Sequence, residues 1–157
     1  MIAHQFALIS LLATFAFTAP FNFATAEEAK PQPQSTQLQA QAKKKFQFVL
    51  HVSDEDPKIW RQALQNAEAM QRNMGRENVD VEIVANGYGL DMLKNESAVA
   101  ALINGALDRS VDVVACGETM ERTGVKKDDL VGGVRVVKGG LPEIALKVRA
   151  GWTYIKP

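Results

Sequence analysis

Residues 45–60 read KFQFVLHVSDEDPKIW, and the fold turns on how this stretch changes character at Ser53. Residues 45–52 are β-prone and mostly apolar, the composition of a strand covered on both faces. Residues 53–57 then supply turn and cap chemistry. Asp56 is placed to cap a helix, and Pro57 to occupy its first position, where a missing N–H is harmless. Behind them Ile59, Trp60, Ala63, Leu64, Ala67, Met70 and Met74 recur at helical spacing, with Lys58, Gln62, Gln65 and Arg72 elsewhere around the wheel, and Gly75 ends the run. A buried strand thus passes directly into an amphipathic helix.

The alternation continues outward. Residues 79–85, VDVEIVA, form a second strand that Asn86-Gly87-Tyr88-Gly89 closes. Residues 90–94 suit a short helical turn, and Ser97 is placed to cap a helix that buries Val99, Leu102, Ile103, Ala106 and Leu107. Residues 111–115 make a third strand, residues 118–123 one or two helical turns stopped by Gly124, and residues 133–137 a short fourth strand. Gly139-Gly140 precedes a last helix with Pro142 near its start, a Glu143/Lys147 pair at i,i+4 and Gly151 just past its end. Residues 152–155 supply a fifth strand. Parallel strands need crossovers, so strands alternating with helices predict a parallel α/β sheet with helices on both faces.

The chain has 157 residues, with 18 Lys+Arg balanced by 18 Asp+Glu, and none of these falls before Glu27. Residues 6–19 are an apolar run of signal-core length, and Ala24-Thr25-Ala26 fits the small-x-small cleavage pattern. Residues 1–26 are therefore expected to be a signal peptide cleaved after Ala26, giving a periplasmic or secreted protein that is free of the membrane. The alternative is an uncleaved membrane anchor, since residues 20–23 prolong the apolar run and no Lys or Arg precedes it. Residues 27–42, EEAKPQPQSTQLQAQA, hold a single Leu and bury too little apolar surface to offset ordering entropy, which predicts a disordered Pro/Gln-rich linker. Residues 43–157 suffice for one domain with its own core. Charges of both signs are interleaved, so no stripe fits a nucleic-acid backbone. Residues 43–45, the one basic run, read as a solvated entry to the first strand.

Cys116 is the single cysteine, in VVACGETM at residues 113–120. In a parallel α/β sheet the carboxyl ends of the strands share one edge, where ligand chemistry collects, and Cys116 falls there. Gly117 permits close backbone passage. A turn beginning at Glu118 would aim unpaired N–H groups at the sulfur and lower its pKa, while the charge of Glu118 would oppose that. Against a reactive thiol stands an inert core cysteine, since three apolar residues lead into it. Export sharpens the choice, because an exposed thiol without an intrachain partner is open to mixed or intermolecular disulfides. Cys116, His51 and the scattered carboxylates lack zinc-ligand spacing, so no metal is expected. Tyr88 between Gly87 and Gly89 is a turn rather than a dinucleotide fingerprint, and no Ser-His-Asp set, P-loop or paired-carboxylate site stands out, so no cofactor is expected either.

FVLHVSDEDPKIW, VEIVANGYGLDML, VVACGETM, VKKDDL and the closing GWTYIKP, in this order and spacing over residues 45–157, together resemble the DsrE/DsrF-like family of small sulfur-metabolism proteins, specifically its exported single-domain branch. The resemblance implies a three-layer α/β/α fold on a five-stranded parallel sheet, with subunits assembled into homo-oligomers such as trimers or hexamers. It also implies a sulfur carrier: relatives hold sulfur as a persulfide on one cysteine and pass it between a donor and an acceptor. Cys116 matches that cysteine, and this branch often shows Asn where the present chain has Glu118. The rival expectations are a non-catalytic oligomeric binding or scaffold protein with a packed Cys116, and a thiol redox sensor that joins subunits.

In the family's sheet order His51 is expected beside the third strand, in reach of Cys116 as base or donor. Its plain reading is a histidine hydrogen-bonded at a strand terminus. The Gly117 and Glu118 amides are expected to steady the sulfur anion, Thr119 and Met120 to line the rim or a subunit contact, and Tyr88 to line the pocket. Asp54, Glu55 and Asp56 form an acidic loop on the same rim. Gly139-Gly140 offers an N–H nest, and Trp60 and Trp152 read as core or interface.

Overall fold

A computed structural model of the protein describes residues 44–157. The signal peptide and linker expected over residues 1–42 lie outside the described residues. Strands β1 (Phe46–Val52), β2 (Val79–Ala85), β3 (Asp112–Cys116), β4 (Arg135–Val137) and β5 (Thr153–Ile155) alternate with helices α1 (Pro57–Met74), α2 (Ala100–Asp108), α3 (Gly117–Thr123) and α4 (Gly140–Arg149). The sheet order is β4-β3-β2-β1-β5, and every pairing is parallel.

This order dictates the layers. From β1 to β4 the chain steps in one direction across the sheet, then jumps back past β1 to β5. Right-handed crossovers therefore put the first three connections on one face and α4 on the other. On the first face Leu50, Val52, Ile83, Ala85, Val113 and Ala115 pack against Trp60, Leu64 and Ala67 of α1, Ile103 and Ala106 of α2, and Met120 of α3. On the second face Val49, Val84 and Val114 meet Ile144 of α4. The result is a three-layer α/β/α fold with a large core under one layer and a small one under the other.

Local chemistry sets the element ends. Asp56 accepts a hydrogen bond from the Lys58 N–H at 2.8 Å, Pro57 opens α1, and Gly75 closes it with φ 85°. Residues 87–93 form a 3-10 helix, beginning earlier than the short turn expected at residues 90–94. Ser97 Oγ accepts from the Val99 N–H at 3.3 Å just ahead of α2. Leu102, expected to be buried, is 38% exposed. The nine-residue α2 buries a narrow stripe, Ile103 and Ala106, and Leu102 falls outside it.

The α4 face also holds buried charge. Glu82 on β2 is 0% exposed, paired with Lys147 of α4 and, at 3.0 Å, with Arg135 of β4. Arg135 also reaches Asp112 at 2.7 Å and Glu143 at 3.2 Å, and Lys147 lies 4.2 Å from the centroid of the Trp152 ring. Burial pushes the Glu82 carboxyl above the ordinary carboxylate range despite the opposing pull of Lys147.

Lys147→Met would leave Glu82 with Arg135 alone. The expected cost in urea denaturation at neutral pH is at least about 1 kcal/mol, but less than the roughly 3–5 kcal/mol of a fully orphaned buried charge. Because the folded pKa of Glu82 is raised, burial of its charge weighs on stability only as pH climbs above the ordinary carboxylate range. The deficit of the variant should therefore shrink toward acid pH. A deficit that stays constant would assign the loss to packing instead of charge.

Candidate functional site

Side chains alternate along a strand, so His51, Asn86 and Cys116, each within one residue of the end of its strand, share the α4 face with Val49, Val84 and Val114. Above them lies the first residue of α4. A Cβ on Gly140 would sit 3.2 Å from Cys116 Cβ, 3.2 Å from Val84 Cγ1 and 3.3 Å from Asn86 Cβ. The helix backbone thus rests on the strand ends, and a residue without a side chain fits best. From there the Gly140 N–H donates to Cys116 Sγ at 3.2 Å. Cys116 is a free thiol, 4% exposed.

Opposing effects set its acidity. Burial pushes the thiol pKa up, but the Thr119 hydroxyl, the Gly140 amide and the Thr119 amide together pull it below its ordinary value, and the nearby charge of Glu118 resists them. The Gly140 bond has full hydrogen-bond geometry. The Thr119 hydroxyl oxygen accepts from the Gly87 N–H at 3.1 Å, which leaves its own hydrogen for the sulfur.

The other sequence candidates are arranged differently from expectation. Glu118 is exposed and its N–H donates to Lys138 O at 3.0 Å, so it does not face the sulfur; Thr119 and Gly140 supply those donors. At Gly117 a Cβ would lie 2.8 Å from Val137 O, so this glycine serves close strand packing. Met120 points into the large core, away from the rim, and Tyr88 is exposed on its turn. β2 lies between β1 and β3, so His51 is not beside the strand of Cys116. His51 Nε2 meets Asn86 Oδ1 at 2.8 Å, and Nδ1 meets the Tyr154 hydroxyl at 2.9 Å. In the acidic loop Asp56 caps α1 and Asp54 lies 3.5 Å from Lys156. Trp60 belongs to the large core, Trp152 borders the small one. Among the described residues no three His, Cys, Asp or Glu side chains cluster to hold a metal ion, and no helix is long and apolar enough to cross a membrane.

Two neighbours of the site, Asn86 and Tyr154, escaped the sequence reading. Asn86 follows β2 in phase with Val84, which marks it for the same face. That signal becomes readable only once the strand order is known.

The sequence profile of the DsrE/DsrF-like family matches residues 44–157. Among solved structures, the protein of unknown function MTH1491 from Methanobacterium thermoautotrophicum aligns with a TM-score of 0.68 at 28% identity, over 71% of this chain and 99% of that one. The conserved protein of unknown function BT1422 from Bacteroides thetaiotaomicron gives 0.59 at 15% identity, over 71% and 94%. The ychN protein of E. coli gives 0.58 at 16% identity, over 73% and 99%. The last two likenesses concern the fold alone. No curated protein matches the chain.

Gly140→Ala is expected to lift the first turn of α4 and raise the pH midpoint for alkylation of Cys116 by iodoacetamide. Thr119→Val, which deletes the hydroxyl, should raise it as well. Midpoints unchanged in both variants would show that neither donor acts on the sulfur. The folded thiol titrates below its unfolded value, so its contribution to stability is absent below the folded pKa, grows as pH rises through it and is complete above the unfolded pKa. Across that window, the stability of wild type relative to Cys116→Ala should increase with pH in chemical denaturation. A decrease would reverse the sign assigned here.

Proposed function

The chain belongs to the DsrE/DsrF-like family, and on that premise we propose that it carries sulfane sulfur as a persulfide on Cys116. The observation that supports this is a hydrogen-bond donor aimed at a covered sulfur: the Gly140 N–H lies 3.2 Å from Sγ, and with Thr119 it draws the thiol pKa down against burial. A cysteine that only fills space needs no such donors. In the transfer step the Cys116 thiolate attacks the outer sulfur of a donor persulfide, R–S–SH. An S–S bond forms at Cys116, the donor's S–S bond breaks, and its electron pair leaves on R–S⁻, which takes up a proton. The sulfane sulfur keeps its oxidation state, so neither oxidant nor reductant is consumed. An acceptor thiolate runs the same step in reverse.

An inert, packed Cys116 in a non-catalytic binding or scaffold protein is the alternative that the 4% exposure favours. The same low exposure weighs against a sensor that joins subunits through this thiol. In either case the chain is proposed to assemble as a homo-oligomer, supported by the large apolar side chains Leu141, Leu146 and Val148 that α4 leaves exposed for a second subunit to cover. Export to the periplasm or beyond is proposed from residues 1–26.

Intact-mass measurement after incubating the folded protein with a small persulfide donor tests the carrier role. Wild type should gain the mass of one sulfur atom and Cys116→Ser none. No gain on wild type, with thiol labelling only after unfolding, would establish the packed cysteine instead.

A further inference from the structure

Asn86 is the lateral neighbour of Cys116. Ala85 pairs with Ala115 across β2 and β3, so the next residue on each strand, Asn86 and Cys116, stand side by side at about the 4.8 Å spacing of paired strands. Both flank Gly140, whose Cβ position is 3.2 Å from one Cβ and 3.3 Å from the other. Asn86 also holds the N-cap position of the 3-10 helix Gly87–Leu93, yet its side chain makes no cap hydrogen bond. Capping therefore does not account for it.

The oxygen of its carboxamide is committed instead to His51. An amide oxygen only accepts, so His51 Nε2 at 2.8 Å must carry the hydrogen, and in the neutral ring Nδ1 is left to accept from the Tyr154 hydroxyl at 2.9 Å. Donation thus runs one way, from Tyr154 to His51 to Asn86. It fixes the carboxamide with its NH2 group turned away from His51. Among the described residues that nitrogen makes no hydrogen bond, and it is not fully buried on the half-buried Asn86, so it is left with donor capacity to spare beside Cys116.

We infer that the Asn86 NH2 group binds the outer sulfur of the Cys116 persulfide, and that His51 and Tyr154 are positioning residues that aim it. This rests on the persulfide reading above. A persulfide places its negative charge on the outer atom, beyond the reach of a donor that serves the inner one. The Gly140 amide holds the inner sulfur, and a second neutral N–H donor beside it stabilises the charge that builds one bond farther out. Asn suits this task because it donates without itself becoming charged.

The equilibrium for exchange of the outer sulfur with the glutathione persulfide/glutathione pair, read by intact mass on the full folded chain, separates the possibilities. In Asn86→Ala it should shift about tenfold or more toward glutathione persulfide, the loss of one hydrogen bond to a charged group. Asn86→Asp, nearly isosteric, should shift it at least as far, and it serves as the test if the alanine variant fails to fold. His51→Phe should lose part of the same stabilisation, and His51→Gln, whose amide still donates to Asn86 Oδ1, should restore part of it. The inference is overturned if wild type loads sulfur but both Asn86 variants exchange with the wild-type constant. If wild type loads no sulfur at all, the persulfide reading itself fails and takes this one with it.

Discussion

The amide of Gly140 reaches the sulfur of Cys116 because the first turn of α4 rests directly on the ends of β2 and β3, with no side chain between. The sheet order brings that contact about. The chain reverses direction after β4, so one helix crosses the second face alone, and it enters that face at the carboxyl edge beside the last residue of β3. Farther along the helix Ile144 seats on Val49, Val84 and Val114, while Lys147 pairs with the buried Glu82. A small apolar patch and an ion pair thus hold the body of α4, and its N-terminus is held over the thiol. The large core on the opposite face can carry most of the stability, which leaves this thin layer free to specialise.

Magnitudes favour a perturbed thiol. Burial alone raises a cysteine pKa, yet each hydrogen bond to a charged group is worth about 1.5–3 kcal/mol, and one pKa unit corresponds to about 1.4 kcal/mol. Donors from Gly140 and Thr119 together therefore outweigh a moderate desolvation penalty, and the net shift is downward even with the charge of Glu118 working against it. On the proposed reading, a covered, amide-held sulfur is shielded from casual oxidation and acts as a nucleophile once a partner thiol or persulfide gains access.

Elements whose cause is local were legible in the sequence. The N-cap and first-position proline of α1, the left-handed Gly124 after α3, the run of β2 and the place of Cys116 at a strand end all follow from a few neighbouring residues. The alternation of strands and helices put helices on both faces, and the family resemblance implied the same three layers. What stayed hidden depends on contacts between distant segments. Strand order decides that Asn86, and not His51, adjoins Cys116, and nothing near residue 51 encodes it. The amide of Glu118 looked available from its own turn, but Lys138 from the β4 exit takes it. Met120 reads as a rim residue until α3 is seen to turn it into the large core. The donor to the sulfur comes from 24 positions downstream, where a glycine pair read as a generic anion nest.

The most direct test of the central claim is a carbon-13 NMR titration of the protein labelled at the cysteine Cβ, which yields one resonance because the chain has one cysteine. The folded protein should titrate at a lower pH than the same chain unfolded in urea. A folded midpoint at or above the unfolded one would mean that burial prevails over the amide and hydroxyl donors, and Cys116 would then be a packing residue.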